Sequence, residues 1–308
     1  MNTKKPILVL SYNICFQAMC HEATGSAYDL GNSCTWIIKD QLTICAQNMA
    51  DFMDGAPATV GHSNFDFVGL QEANKAYYLQ AAAKNSLSKL KMVHSKTHAT
   101  NGGHNMQMAS FYDDTKYSLI EKVCSRFNSF ETDRPFHILI LEDMSTKEKI
   151  LFINVHAPHG SSENTKYPNH YYSHLDTVSY DLSEAVKTMT HFDPTEKYKI
   201  IMTGDFNEAG WDWQKNTLRS MTWQPLGHTD LKTDVNISNV IFSCSQSNGC
   251  WTGETGQRGG DYIFSSGNAA RIVIPSNYVF APKGACSDDS IMKSIWQSDH
   301  LPVMSELT

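Results

Sequence analysis

Apolar and polar positions fall in blocks along the chain: short apolar runs closed by a polar residue alternate with longer stretches of helical spacing. Residues 7–12 read as a first buried strand, closed by Asn13. Ile38, Leu42, Cys45, Met49 and Phe52 recur at steps of four, three, four and three, which predicts one apolar helix face over 36–53, stopped near Gly55 and Pro57. Residues 65–70 predict a strand ending in Gln71-Glu72, and 73–90 a helix. Strands are predicted over 108–112, 136–141 and 151–156, the last stopped by Ala157-Pro158. Leu175, Val178, Leu182, Val186 and Met189 place a helix over 172–189. The run Ile200-Ile201-Met202-Thr203 leads into Gly204-Asp205-Phe206-Asn207, and late strands are predicted over 261–264 and 301–304. Strands interspersed with helices indicate an α/β chain whose apolar sheets are covered by helices.

The predicted strands end or begin on polar groups: Asn13, Glu72, His156, Asp205 with Asn207, Asp261, and Asp299-His300. Each has an ordinary structural reading. Gly-Asp and Asn suit turns, Glu72 suits a first helical turn, and His156 suits a satisfied core histidine. Together they place carboxylates, amides and two histidines at ends of strands expected to lie side by side, where α/β sheets bind ligands.

Composition narrows the classes. With 308 residues, 41% hydrophobic and 19% charged, the chain has the make-up of a globular domain with a sizeable core. No internal repeat divides it, and a single domain over 1–308 is expected. A net charge of -7 argues against a broad nucleic-acid footprint, though not against a local one. No apolar run approaches membrane-spanning length. Lys4-Lys5 before the apolar 7–10 looks a little like a secretory signal, but the run breaks at Ser11-Tyr12-Asn13 and reads better as a strand. The eight cysteines form no Cys-x-x-Cys pair; Cys15 and Cys45, in apolar segments, are expected to be buried free thiols. Cys244 and Cys250 are placed to pair if the protein is exported. The expectation is intracellular and reduced, cytoplasmic rather than secreted, with export left open.

Taken in order, Ser-Tyr-Asn13, Gly-Leu-Gln-Glu72, Asn-Val-His156-Ala-Pro, Gly-Asp205-Phe-Asn207, Asp261-Tyr-Ile and Ser-Asp299-His300 resemble the motifs of the endonuclease/exonuclease/phosphatase superfamily. The resemblance runs from about residue 7 to residue 305. It implies the deoxyribonuclease I-like fold, a four-layered sandwich of two packed mixed β-sheets flanked by helices. It also implies metal-dependent hydrolysis of phosphate esters, with substrates that include DNA, RNA, inositol phosphates and sphingomyelin.

By this resemblance Asn13, Glu72 and Asp299 hold Mg²⁺, with Mn²⁺ possible. Asp205 and Asn207 orient water and phosphate, His300 pairs with Asp261, and His156 meets the phosphate or the leaving group. Tyr112 and Arg134, with Asn207, are expected at the substrate phosphate. Where one branch of the family carries a Glu that supports its first histidine, this chain has Asn105-Met106-Gln107, which leaves the partner of His156 open. Gly259-Gly260 before Asp261 is a second departure. The expected partner is a phosphate-ester substrate, a nucleic acid or nucleotide before a phosphomonoester, a lipid or an inositol phosphate, and the expected state is a monomer. An inactive binding module of the same fold is the reading from another class. Trp211, Trp213 and the Tyr167–Tyr172 segment either stack on bases or pack beneath loops.

Overall fold

The structure is a computed structural model that describes residues 6–14, 37–38, 42–95, 107–127, 134–157, 174–206, 235–238, 261–266, 270–272 and 302–307. The strands are β1 (Ile7–Asn13), β2 (Ile37–Ile38), β3 (Leu42–Thr43), β4 (Phe67–Gln71), β5 (Lys91–Ser95), β6 (Met108–Tyr112), β7 (Tyr117–Arg126), β8 (Pro135–Asp143), β9 (Lys149–His156), β10 (Tyr198–Asp205), β11 (Val235–Ser238), β12 (Asp261–Ser266), β13 (Ala270–Ile272) and β14 (Val303–Leu307). The helices are α1 (Ile44–Thr59), α2 (Ala76–Ala82) and α3 (His174–Lys187).

Two six-stranded mixed sheets form, in the orders β13-β14-β1-β4-β6-β5 and β11-β12-β10-β9-β8-β7; β2 and β3 make a separate two-stranded ladder. Each large sheet has one parallel pair at its centre, β1 with β4 and β9 with β10. A parallel pair needs a crossover, and α1 and α3 lie within the two connections. Within each pair, both strands therefore end at the same edge.

Period-two alternation sorts the strand residues into layers. Leu8, Leu10, Val68 and Leu70 pack with Cys45, Met49 and Met53 of α1 and Leu79 of α2 on one outer face. Ile153, Val155, Ile200 and Met202 pack with Val178, Leu182 and Val186 of α3 on the other. Between the sheets lie Ile7, Val9, Phe67, Phe152, Ile201 and Ile263. The result is the expected four-layered α/β sandwich. Among the described residues no helix is long and apolar enough to cross a membrane.

Two helices differ from their sequence-based bounds. The helix expected over 36–53 starts at Ile44, because Thr43 caps it: its hydroxyl accepts from Ala46 N at 3.0 Å, while Ile37-Ile38 pair with Leu42-Thr43 as strands. It also runs past Gly55 and Pro57 to Thr59, without the one i→i−4 bond that Pro57, lacking an N–H, cannot donate. The helix expected over 73–90 shortens to Ala76–Ala82. Asp54 Oδ1 accepts from Asn85 N, Ser86 N and the Ser86 hydroxyl at 2.7–2.9 Å, drawing the chain off the helical path.

Candidate active site

The layer between the sheets is apolar at one end and polar at the other. Along β1 the residues facing it are Ile7, Val9, Ser11 and Asn13; along β4, Phe67, Gly69 and Gln71. Along β9 they are Ile150, Phe152, Asn154 and His156; along β10, Ile201, Thr203 and Asp205. β12 runs antiparallel to β10, so its first residue, Asp261, stands opposite Asp205 at the polar end. Asn13, Gln71, Asn154, His156, Thr203, Asp205 and Asp261 are all buried.

At the outermost tier the sheets meet through side chains. Asn13 Nδ2 donates to Asp205 Oδ2 at 2.9 Å and reaches Glu72 Oε1 at 3.4 Å. His156 Nε2 lies 3.6 Å from Asp205 Oδ2 and 3.7 Å from Glu72 Oε1. Arg134 Nη1 lies 4.0 Å from Glu72 Oε1. Two carboxylates thus converge on one amide, one imidazole and one guanidinium. The supporting ladders run one residue beyond the strands: Ile14 N donates to Gln71 O and Ala157 N to Asp205 O. Gly204 allows the close approach just before Asp205, because a Cβ there would sit 2.5 Å from the Val155 carbonyl oxygen.

Glu72 is held in an unusual backbone state. Its φ is 53°, the left-handed region, which costs a non-glycine residue about 1–2 kcal/mol. Ala73 N donates to Gln107 O at 2.7 Å, Gln107 N to Asn74 Oδ1 at 3.1 Å, and Asn74 N to Glu72 O at 2.8 Å. These bonds pin the turn to the start of β6. Glu72 therefore precedes α2 as a clamped turn residue rather than opening a helix.

Arg134, just before β8, contacts His156: Nη1 is 3.2 Å from Nδ1 and closer still to Nε2. A guanidinium has only donors. Burial is the largest influence on Arg134 and lowers its pKa from the ordinary value, against the pull of Glu72 and Asp205. Beside His156, where the sequence left a partner open, stand Arg134, Glu72 and Asp205.

Of the sequence-predicted residues, Asn13, Glu72, Arg134, His156 and Asp205 come together, and Asp261 stands beside Asp205. Asn207, Asp299 and His300 lie outside the described residues, as do Trp211, Trp213 and the 167–172 aromatics. Tyr112 is a correction. β6 runs antiparallel to β4 and puts Tyr112 opposite Phe67, at the far end of the strand that leads to Glu72. About five residues at ~3.3 Å each separate it from the site. It belongs to the apolar inter-sheet core with Tyr117 and Phe152, and burial raises its phenol pKa. Cys45 is a second correction: it is disulfide-bonded, whereas Cys124 is free and exposed.

Sequence reasoning quoted Gln71, Ser110, Asn154 and Thr203 within motifs or strands but gave them no role, and it passed over His137. The signal was present. A polar residue two positions before a site residue, inside an otherwise apolar strand, lies on the same face one step deeper.

The donor set bears on a metal. Among the described residues no group of three or more His, Cys, Asp or Glu side chains is arranged to hold one. Glu72, Asp205 and the Asn13 amide are hard oxygen donors, and Mg²⁺ needs only one or two carboxylates because it keeps several waters. The residues present fit such an ion and offer no zinc-like set.

No family model and no curated protein sequence matches the chain. Solved structures do. An endonuclease/exonuclease/phosphatase family protein from Bacteroides thetaiotaomicron is 19% identical, with TM-score 0.58 and 98% of each chain covered. A mannosyl-6-phosphatase from the same organism is 18% identical, with TM-score 0.56 and coverage of 98% of this chain and 99% of that one. ANGEL2, described as a 2',3'-cyclic phosphatase, is 15% identical, with TM-score 0.58 and coverage of 99% and 98%. The chain has the fold of the endonuclease/exonuclease/phosphatase proteins, the deoxyribonuclease I-like sandwich.

Proposed function

We propose that this protein is a divalent-metal-dependent hydrolase of phosphate esters, of nuclease or nucleotide phosphodiesterase type, acting as a monomer. One observation carries the reading: Asn13 of one sheet donates to Asp205 of the other at 2.9 Å, and Glu72 and Asp205 both come within 3.7 Å of His156, beside Arg134. The fold shared with proteins described as phosphatases adds support.

Mg²⁺, or Mn²⁺, held by Glu72 with Asn13 and Asp299, would supply a Lewis acid that neutralises the phosphate. Asp205, with Asn207, would orient the attacking water by accepting hydrogen bonds from its O–H groups. Arg134, charged and already desolvated, offers parallel donors to non-bridging oxygens. His156, beside Glu72 and Asp205, is placed to accept a proton or to turn an N–H toward the ester oxygen. His300 would pair with Asp261, whose carboxylate would fix the tautomer.

A second reading, a phosphomonoesterase, is favoured by the net charge of -7, which does not suit tight binding of a polyanion. The Cys45 disulfide speaks for an oxidising compartment rather than the reduced cytoplasm expected from sequence.

The test is a substrate panel with Mg²⁺ or Mn²⁺: single- and double-stranded DNA, RNA, a nucleotide diester, a sugar phosphate, an inositol phosphate and sphingomyelin. The reading expects cleavage of diesters in nucleic acids or nucleotides. Turnover of the sugar phosphate alone would replace it with the phosphomonoesterase reading.

A further inference from the structure

One tier below the site, a second set of polar side chains is sealed between the sheets. Asn154 is fully buried at its centre. Its Nδ2 faces Leu70 O at 3.3 Å, Ala109 O at 3.1 Å and Ser110 Oγ at 3.2 Å, all in the opposite sheet. Its Oδ1 accepts from Gln71 Nε2 at 2.7 Å across the gap and from Thr203 Oγ1 at 3.2 Å within its own sheet. The Ser110 hydroxyl, which accepts from Asn154, in turn meets His137 Nδ1 at 3.0 Å.

The sequence neighbours of these partners are the site. Gln71 immediately precedes Glu72, and Leu70 is two before it. Thr203 is two before Asp205, and Asn154 itself is two before His156. The sheets come unusually close here. A Cβ on Gly69 would lie 2.7 Å from Asn154 Oδ1 and 2.8 Å from Thr203 Cβ, so only glycine fits opposite the amide. Apolar packing alone leaves two sheets free to slide on one another. An amide whose donors and acceptor are all engaged across the gap allows one register.

We propose that Asn154 is the positioning residue of the active site: it fixes the sheet that carries Asn13 and Glu72 against the sheet that carries His156 and Asp205. It touches neither substrate nor metal, and acts through Gln71, Leu70 and Thr203. The kinetic part of this inference rests on the hydrolase reading above; the structural part does not.

The experiment compares wild type, Asn154→Ala, Thr203→Val and the double variant. Unfolding midpoint, backbone hydrogen exchange by mass spectrometry, and kcat and KM on the ester that wild type hydrolyses are measured together. With the protein still folded at the assay temperature, Asn154→Ala lowers kcat about 10–100-fold, the range of groups that orient catalytic ligands, and leaves KM within about threefold. Exchange rises selectively in 68–73 and 203–206. Thr203→Val has a smaller effect, and the double variant is little worse than Asn154→Ala, because the shorter contact of the Thr203 hydroxyl, 3.2 Å against 3.4 Å to Ile153 O, ends on Asn154. Unchanged kcat in folded Asn154→Ala, a rise in KM alone, or unchanged exchange in 68–73 would overturn the proposal. If Asn154→Ala does not fold, Asn154→Ser takes its place with the same expectations. If wild type hydrolyses no ester, the hydrolase reading fails, and the exchange data alone decide whether Asn154 holds the sheets in register.

Discussion

Asn13 and Asp205 are 192 residues apart, yet the amide of one donates to the carboxylate of the other at 2.9 Å, one from each sheet. This bond closes the top of the sandwich and sets the distance between its two rows of polar groups. Its donor is neutral, so it brings two carboxylates together without adding a third charge. Replacing Asn13 with Asp adds that charge beside Glu72 and Asp205 and removes the donor. A buried group left without its partner costs about 1–3 kcal/mol. Asn13→Asp is expected to lower the unfolding free energy by that order, read by urea denaturation, and to cut kcat/KM at least ~100-fold through the misplaced carboxylates. Asn13→Ser, smaller and neutral, should retain more of both.

Glu72 offers a test in which stability and activity move in opposite directions. Its left-handed backbone, φ 53°, suits glycine better than glutamate. Glu72→Gly is expected to leave the thermal midpoint unchanged or raise it, while activity falls below detection and Mn²⁺ binding by calorimetry weakens at least tenfold. Strain kept at a functional carboxylate is the physical reason. A fall of several degrees in midpoint would show that Glu72 is held for the fold instead.

His137 predicts a pH dependence. It is fully buried against Ser110, and burial, reinforced by His94 and Lys122, pushes its pKa down to about 3. In the unfolded chain the ring titrates near 6.5. Between these values the unfolded state takes up a proton that the fold excludes. Stability from this residue is thus complete above about pH 6.5 and is lost as pH falls toward 3, at up to ~1.4 kcal/mol per pH unit. His137→Asn should flatten the fall in unfolding free energy between pH 7 and pH 4.5, measured by urea titration.

The cysteines make a chemical prediction. Protein denatured without reductant should leave at least two of its eight cysteines unreactive toward a thiol reagent, Cys45 among them, while Cys124 reacts already in the native state. Mass spectrometry after labelling identifies which.

The two packed sheets were implied by the family resemblance; the strands, their flanking helices and the polar groups Asn13, Glu72, His156 and Asp205 were legible from one pattern. A buried strand that ends in a polar residue announces both its own end and a group worth keeping there, as with Asn13, His156 and Asp205. What was hidden depended on partners distant in sequence. Asp54 ends a helix that spacing alone would continue to residue 90, because its carboxylate catches Asn85 and Ser86. Tyr112 looked like a site residue until pairing with Phe67 put it at the other end of its sheet. β7 escaped notice because it is an edge strand, where Glu121, Lys122 and Arg126 belong on an exposed margin. Asn154 sits in an apolar run, and only the facing sheet shows what its amide does.

The central claim is that the carboxylates joined across the sheets work through a divalent ion on a phosphate ester. The most direct measurement is hydrolysis of bis(4-nitrophenyl) phosphate by wild type and by Asp205→Asn, each with Mg²⁺, with Mn²⁺ and with EDTA. Asp205→Asn keeps an oxygen for the Asn13 donor and should fold as wild type does. The account predicts wild-type turnover that vanishes in EDTA, returns with Mg²⁺ or Mn²⁺, and falls ~10²–10⁴-fold in Asp205→Asn. Equal turnover in EDTA, or a folded Asp205→Asn as active as wild type, would contradict it.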